Sequence, residues 1–240
     1  NFLKYLVLIV ACFVVIGPLV VIFIGSFKEN REFITTGIFE LPKKLYLENY
    51  KIAFIDGKVL EGLWNTAVII VISCFGTIIT GTMTAFVIQR FNTLFTRFVK
   101  TLFMLAMLLP NVSMQVTVFQ IINKMGLYNT IFAPIILYIG TDIIAIYIFM
   151  QFLRNIPVSI DESAIVDGAS YPRIYFSIIL PLLRPAIATV LIIKFVGIYN
   201  DFYTANLYMQ DNNVISTALY RFIGPYGAKW EIIFAGIVIC

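Results

Sequence analysis

Long stretches of this chain contain no charged residue at all. Residues 5–27, 64–89 and 101–122 lack Asp, Glu, Lys and Arg. About 20 apolar residues in a helix, each adding 1.5 Å, cross the roughly 30 Å of hydrocarbon in a bilayer. Within hydrocarbon the backbone polar groups must be satisfied inside the segment, which a helix achieves. These runs predict membrane-spanning helices and exclude an ordinary soluble domain.

Three more segments are apolar with few interruptions. Asp142, Lys194 and Asp201 are the charges inside two of them, and the last segment is short, so we expect it to be part of a sixth helix. We therefore predict an all-α, polytopic membrane protein, with residues 1–240 forming one transmembrane domain. The predicted spans are 5–27, 64–89, 101–122, 130–152, 185–209 and, in part, 230–240, with a loop at 154–181.

Composition narrows the function classes. Only 12% of the residues are charged, and the net charge of +4 comes from scattered Lys and Arg rather than from a basic stripe, so we expect no nucleic-acid partner. The chain has no histidine, which removes the commonest general base and zinc ligand. We expect no metal site and no catalytic residues. Cys12, Cys74 and Cys240 lie in apolar runs and are interpreted as small buried or lipid-facing side chains.

The second predicted span carries a stripe of small side chains. Ser73, Thr77, Gly81 and Ala85 follow one another at every fourth position. Small residues let two helices approach closely in a membrane, where lipid is as apolar as the helices themselves. The stripe predicts a packed helix bundle.

The loop at 154–181 is the most informative segment. Ser159 or Asp161 can cap a short helix, Glu162 would lie in its first turn, and Gly168 can end it in a left-handed turn. The small residues Ser163, Ala164 and Ala169 predict a smooth surface that fits a groove on another protein. The alternative is an amphipathic helix lying on lipid, which three acidic residues disfavour at an anionic membrane surface.

The spacing of residues in this loop resembles a known motif. Glu162-Ser163-Ala164, then Gly168, then Ile178-x-Leu180-Pro181 is similar to the EAA loop in permease subunits of binding-protein-dependent ABC importers, with Ser163 in place of the first alanine. Pro157 and the run Asp167–Ser170 resemble the carbohydrate-uptake branch, which includes the inner-membrane subunits of the maltose transporter. Further similarities lie at Trp64-Asn65-Thr66, Arg90-Phe91, Pro110 and 126–130.

This resemblance implies a fold, a location and a set of partners. It implies the six-helix type I permease fold, multi-pass in a bacterial-type plasma or inner membrane with a cytoplasmic N-terminus, an orientation that the near-even Lys and Arg distribution does not fix. The implied partners are a second homologous permease, an ATPase dimer, an extracytoplasmic sugar-binding protein and membrane lipid. This chain would bind no cofactor, and ATP and Mg would bind to the ATPase. The positions implied for coupling are Glu162, Ser163, Ala164, Asp167, Gly168 and Ala169.

Polar residues within the spans are candidates for the transport path, because charges at bilayer depth are costly and face a cavity or a partner. Asp142 and Lys194 are a candidate intramembrane ion pair. Amide, carboxylate and aromatic groups offer hydroxyl partners and stacking faces to a sugar. The candidate substrate pathway consists of Asn111, Gln115, Asn200, Asp201, Tyr203 and Asn206.

The residues alone leave three function classes open. The first is a permease subunit driven by an external ATPase, which would translocate a sugar or oligosaccharide. The second is a self-contained secondary transporter or channel for a small polar solute, although we find no clear internal repeat of the kind that many transporters show. The third is a membrane-embedded enzyme, for which the intramembrane charges supply few convergent groups.

Overall fold

A computed structural model describes residues 2–109, 111–140, 142–224 and 227–240. Helices dominate these residues, as predicted, and a pair of two-residue antiparallel strands, β1 and β2, is also present, in which Ile223 lies opposite Ala228. A π-helical turn follows α10 and a 3-10 turn follows α14. In chain order the elements are α1 (Phe2–Ser26), α2 (Asn30–Thr35), α3 (Glu48–Asp56), α4 (Val59–Arg90), α5 (Leu94–Met107), α6 (Asn111–Lys124), α7 (Phe132–Gly140), α8 (Ile143–Arg154), α9 (Ser159–Val166), α10 (Tyr171–Ile174), the π-helical turn (Tyr175–Ile179), α11 (Leu180–Leu182), α12 (Arg184–Asn200), α13 (Phe202–Tyr208), α14 (Ile215–Ala218), the 3-10 turn (Leu219–Phe222), β1 (Ile223–Gly224), β2 (Gly227–Ala228) and α15 (Trp230–Ile239).

Three helical stretches in the described part of the chain are long and apolar enough to cross a membrane: Leu3–Ser26, Val59–Arg90 and Phe132–Arg154. A fourth is obtained if Tyr171–Leu182 and Arg184–Asn200, which meet at an angle of 69°, form one bent span. The helices therefore have the lengths that a polytopic membrane protein requires.

Two of the predicted spans are not continuous helices. The segment 130–152 contains the end of α7 at Gly140 and the start of α8 at Ile143, and the segment 185–209 is divided at Asp201 between α12 and α13. Each of these two predicted spans therefore contains two consecutive helices in the part of the chain that the structure describes. The physical reason is that each carboxylate accepts a backbone N–H and begins a new helix, which is the usual role of aspartate at an N-cap. The segment 101–122 comprises parts of α5 and α6, and Pro110 between them lies outside the described residues.

One compact unit contains the described residues up to Asn65 together with Asn213–Cys240. In it α15 packs against α1 and α3. A Cβ atom on Gly25 of α1 would lie 2.6 Å from the Phe234 ring of α15, so glycine permits this close approach. The buried amide of Asn49 ties the end of α1 to α3 by donating to the backbone carbonyls of Ser26 and Lys28.

The other compact unit is Thr66–Asn212, and in it the small-residue stripe of α4 is buried. Ser73, Thr77 and Ala85 are at most 1% exposed. A Cβ atom on Gly81 would lie 3.0 Å from the Phe149 ring of α8. The predicted close packing of α4 against another helix is confirmed.

A hydrophobic core within the same unit supports the loop at 154–181. It combines the end of α4 with residues of α8, α9, α10, the π-helical turn and α12. In the π-helical turn, the Tyr175 hydroxyl lies 2.7 Å from Thr82 Oγ1 and its ring lies 5.5 Å from the Phe86 ring. The buried members are Ala85, Phe86, Ala145, Phe149, Met150, Leu153, Ala164, Ile174, Tyr175, Ile179, Leu183, Ala186 and Val190.

Candidate functional site

The short helix predicted in the loop is present as α9, and its N-terminus differs from the prediction. Val158 is the N-cap residue, and no side chain caps the helix. The expectation that Ser159 or Asp161 caps it is wrong, because Ser159 is already the first helical residue and the Asp161 carboxylate is paired with Arg90. Asp161 and Glu162 do lie in the first turn, where negative charge is favourable at the positive end of the helix dipole.

The C-terminus of α9 has the left-handed turn expected at Gly168. Gly168 has a φ of +81°, a conformation that glycine adopts without the steric cost that a side chain adds. Its N–H donates to the Ile165 carbonyl at 2.9 Å, and the Ala169 N–H donates to the Ala164 carbonyl at 2.9 Å. These two bonds form a Schellman motif, which fixes the direction in which the chain leaves the helix.

The exposed surface of α9 and the turn after it is mixed in polarity, because Ile165 and Val166 are exposed beside the acidic side chains. Glu162, Ser163 and Asp167 are exposed, and the Ser163 hydroxyl donates to the Ser159 carbonyl at 2.8 Å within the helix. Ala164 is buried and Ala169 is half-buried against the core. The expectation that Ala164 belongs to an exposed smooth surface is therefore wrong, because this small side chain lets α9 lie close to the core instead.

A buried ion pair joins α9 to the end of α4. Arg90 Nε lies 2.6 Å from Asp161 Oδ2, and the two side chains are only 6% and 7% exposed. Arg90 Nη1 also donates to the Ile156 carbonyl at 3.1 Å. Sequence reasoning included Arg90 only as part of the resemblance and did not pair it with Asp161. The available signal was a cation that directly follows a long charge-free run.

The candidate ion pair within the spans is also brought together. Lys194 Nζ on α12 lies 2.6 Å from Asp142 Oδ2 and also donates to the Tyr138 carbonyl at the end of α7. Asp142 Oδ1 accepts the Ala145 N–H at 3.0 Å. The carboxylate thus begins α8 and neutralises the lysine charge, the arrangement that an ionisable pair at bilayer depth requires.

Asp201 likewise begins a helix, at the break between α12 and α13. Its Oδ1 accepts the Thr204 N–H at 2.9 Å, which begins α13, and its Oδ2 accepts the Tyr138 hydroxyl at 2.8 Å. Tyr138 therefore links the two breaks through its carbonyl and its hydroxyl. These polar groups line a cavity of about 490 Å³ whose other walls are apolar: Leu137, Ile144, Ala145, Ile148, Val190, Ile193, Gly197 and Ile198.

The other candidate pathway residues do not line this cavity. Asn200, Tyr203 and Asn206 are exposed, and the Asn200 amide donates to the Val196 carbonyl of its own helix. Gln115 Oε1 is buried and has no hydrogen-bond partner among the described residues. Asn111 begins α6, and its side chain lies outside what the structure describes.

Residues 77–240 match the family described as the binding-protein-dependent transport system inner membrane component. This match covers more than half of the sequence and includes Arg90, all of α9 and both helix breaks. The chain belongs to this family. It is therefore a membrane component of a transport system and not an enzyme.

Similarity to individual permease proteins covers almost the whole length of this chain. It is 31% identical over 93% of its length to a probable starch degradation products transport system permease protein of Thermoanaerobacterium thermosulfurigenes, covering 82% of that protein. It is 29% identical over 98% of its length to a galactooligosaccharides transport system permease protein of Bacillus subtilis, covering 85% of that protein.

A solved structure shares the fold of this family member. The match is to a bacterial ABC transporter involved in the import of the acidic polysaccharide alginate, with a TM-score of 0.85 at 18% identity. It covers 99% of this chain and 90% of the other. The expected fold class, the type I permease fold of ABC importers, is confirmed.

Proposed function

We propose that this chain is a membrane-spanning subunit of an importer that translocates a sugar or oligosaccharide, driven by ATP hydrolysis on a separate ATPase subunit. The observation that carries the proposal is α9, a short helix that exposes Glu162, is held on a buried core and ends at a left-handed glycine. Two relatives named for the transport of starch degradation products and galactooligosaccharides support the substrate class.

The proposed coupling contact is the exposed face of α9. Glu162, Ser163 and Asp167 offer a carboxylate, a hydroxyl and a second carboxylate, and a basic residue of the ATPase would pair with Glu162. Gly168 would fix the end of the helix, with Ala164 and Ala169 seating it on the core. ATP and Mg would bind to the ATPase dimer, so this chain would hold no cofactor of its own.

The remaining proposed partners follow from the same function. A second, homologous permease subunit would complete the membrane path, and an extracytoplasmic sugar-binding protein would deliver the sugar. The chain would be surrounded by lipid, with its N-terminus and α9 in the cytoplasm. The exposed apolar side chains of α1, such as Phe13 and Val15, are suited to contact with lipid or with the second permease.

The coupling proposal is tested with the assembled complex in liposomes. The substrate is the sugar that the cognate binding protein retains from a panel of malto-oligosaccharides and galactooligosaccharides. Glu162→Lys reverses the proposed contact charge, and Gly168→Asp strains a position with φ of +81°. Both should abolish most sugar-stimulated ATP hydrolysis and uptake, whereas Glu40→Lys, a charge reversal in the exposed turn after α2, should not. Unchanged uptake in both variants of α9 would refute the proposed coupling.

The cavity at the two helix breaks is proposed as part of the sugar path. It presents the carboxylates of Asp142 and Asp201, the Lys194 ammonium group and Tyr138 beside apolar walls, and ligand sites combine such hydrogen-bonding and apolar groups. Asp201→Ala should change the apparent affinity for uptake of at least one sugar in the panel. Unchanged affinity for every sugar, in Asp201→Ala and in Tyr203→Ala, would exclude both residues from the path.

A further inference from the structure

Arg90 is the last residue of α4, a helix of 32 residues, and its guanidinium reaches two places in the loop. Nε lies 2.6 Å from Asp161 in the first turn of α9, and Nη1 donates to the carbonyl of Ile156, which precedes that helix. A planar guanidinium that contacts two groups fixes orientation as well as distance. Arg90 therefore holds α9 and its N-terminal approach in one arrangement relative to the end of α4.

Stability alone is a poor explanation for this pair. Replacing a buried ion pair with hydrophobic residues of similar size is often neutral or stabilising, because removing two charges from water is costly. Here the compensation is also incomplete, since Arg90 Nε, Arg90 Nη2 and Asp161 Oδ1 are buried without a hydrogen-bond partner among the described residues, so Arg90 and Asp161 meet as an ion pair only. What Arg90 supplies and apolar contacts do not is direction: the hydrogen bond from its Nη1 to the Ile156 carbonyl depends on geometry, whereas hydrophobic contacts are non-directional.

Among the described residues, Ala164 is the member of α9 that belongs to the buried hydrophobic core. Ala164 packs into the core with a single methyl group, which allows the helix to lie close and offers little resistance to sliding. A displacement imposed on the exposed face of α9 would therefore reach the end of α4 through the buried ion pair at the first turn of α9 and the hydrogen bond from Arg90 to the Ile156 carbonyl. Both contacts lead to α4, which spans the membrane thickness by length and composition.

We infer that Arg90 is a positioning residue for energy coupling: through Asp161 and the Ile156 carbonyl it transmits movement of α9 to the membrane helix α4. This inference rests on the proposed function, because it assumes that a partner ATPase moves α9. It adds a residue outside the loop and a specific membrane helix as the recipient of the movement.

The test measures coupling and assembly separately. The double variant Arg90→Met with Asp161→Leu replaces the ion pair with apolar side chains, so no unpaired buried charge remains. We expect it to assemble with its partners and to keep basal ATP hydrolysis. The number of sugar molecules imported per ATP hydrolysed should fall about tenfold, a factor in keeping with the loss of one hydrogen bond to a charged group. Arg97→Gln is the matched control, because Arg97 is an exposed arginine on neighbouring α5 and its substitution should leave the ratio unchanged.

A second variant keeps the test decisive if the double variant does not assemble. Arg90→Lys retains the charge near Asp161 but lacks the planar fork that reaches both acceptors, so we expect an intermediate ratio in a normally assembled complex. A wild-type ratio in the double variant, or in Arg90→Lys where only that variant assembles, would overturn the inference.

The inference and the proposed function fail in different ways. If Glu162→Lys abolishes coupled uptake and the Arg90 variants do not alter the ratio, the inference alone is wrong. If the wild-type complex shows no ATP-driven uptake, or if both Glu162→Lys and Gly168→Asp leave it intact, the proposed function is wrong.

Discussion

At the scale of single residues, Lys194 and Asp142 form an ion pair at the break between α7 and α8. Both side chains also hydrogen-bond to the backbone at the helix ends that this break creates. The Tyr138 carbonyl is among the last four of α7, which have no donor within their own helix. Lys194 and the Thr77 hydroxyl donate to it instead, while the Lys194 charge is balanced by Asp142. The lysine is therefore both a counter-ion and a donor to the backbone at the break.

This arrangement predicts a strong, non-additive effect on stability. Asp142→Asn or Lys194→Met alone leaves an uncompensated charge and should lower the free energy of unfolding by about 3 kcal/mol. The double variant should lose clearly less than the sum of the single variants, because the two charges disappear together. Thermal unfolding in nanodiscs measures the stability lost in each single variant and in the double variant.

An exposed ion pair provides the control for that experiment. Glu48 and Lys51 on α3 form an i,i+3 pair with side chains that are 48% and 64% exposed. Exposed pairs contribute little to stability, so Lys51→Met should leave the unfolding temperature nearly unchanged. Additive losses at Asp142 and Lys194 would contradict the assigned pairing.

At the scale of elements, the position of α8 depends on a glycine in α4, because the missing side chain at Gly81 leaves room for a ring of α8. Gly81 lets the Phe149 ring lie where a Cβ atom would be only 3.0 Å away, and Phe149 is fully buried. A side chain added at position 81 would therefore crowd this buried ring. The small-residue stripe determines which face of α4 receives α8, and α8 leads directly into the loop that carries α9.

A larger side chain at Gly81 should separate these two helices. Gly81→Val should destabilise the chain by about 1–3 kcal/mol through overpacking, with a matching loss of assembled complex. The control is Gly17→Val in α1, since a Cβ atom on Gly17 meets nothing within 4 Å. Thermal unfolding of both variants provides the comparison, and equal stability would contradict the proposed role of Gly81.

At the scale of the whole molecule, the order of membrane helices determines which loops share a side. The six predicted spans place the segment between α1 and α4 opposite the loop that contains α9. Leu41 in the first of these is 75% exposed and Val166 in the second is 87% exposed. Both side chains are exposed on the isolated chain, so we expect a water-soluble reagent to reach each position from its own side of the membrane.

This topology is tested by cysteine labelling in whole cells. Leu41→Cys and Val166→Cys would each be made in a background in which Cys12, Cys74 and Cys240 are replaced by alanine. A membrane-impermeant maleimide should label Leu41→Cys in intact cells and Val166→Cys only after the cells are opened. Labelling of both variants in intact cells would show that the two segments share a side and would exclude the six-span arrangement.

Short stretches of sequence determined the membrane helices of this protein, the close packing of α4 and the presence of α9. The charge-free runs predicted membrane helices, the spacing of Ser73, Thr77 and Gly81 predicted close packing, and the loop sequence predicted α9 and its left-handed end at Gly168. These properties depend on residues within one or a few helical turns of each other. Hydropathy, helix period and the conformational freedom of glycine are local, so they can be read from the chain itself.

Only the tertiary structure decided which distant groups meet. Arg90 pairs with Asp161, and Tyr138 bonds to Asp201 across 63 residues of sequence. The same contacts explain the wrong predictions: Asp161 does not cap α9 because Arg90 holds it, and Ala164 points into a core made of several elements. Such pairings depend on which helix faces come together in three dimensions, and that choice is made by the packing of the whole unit rather than by any one segment.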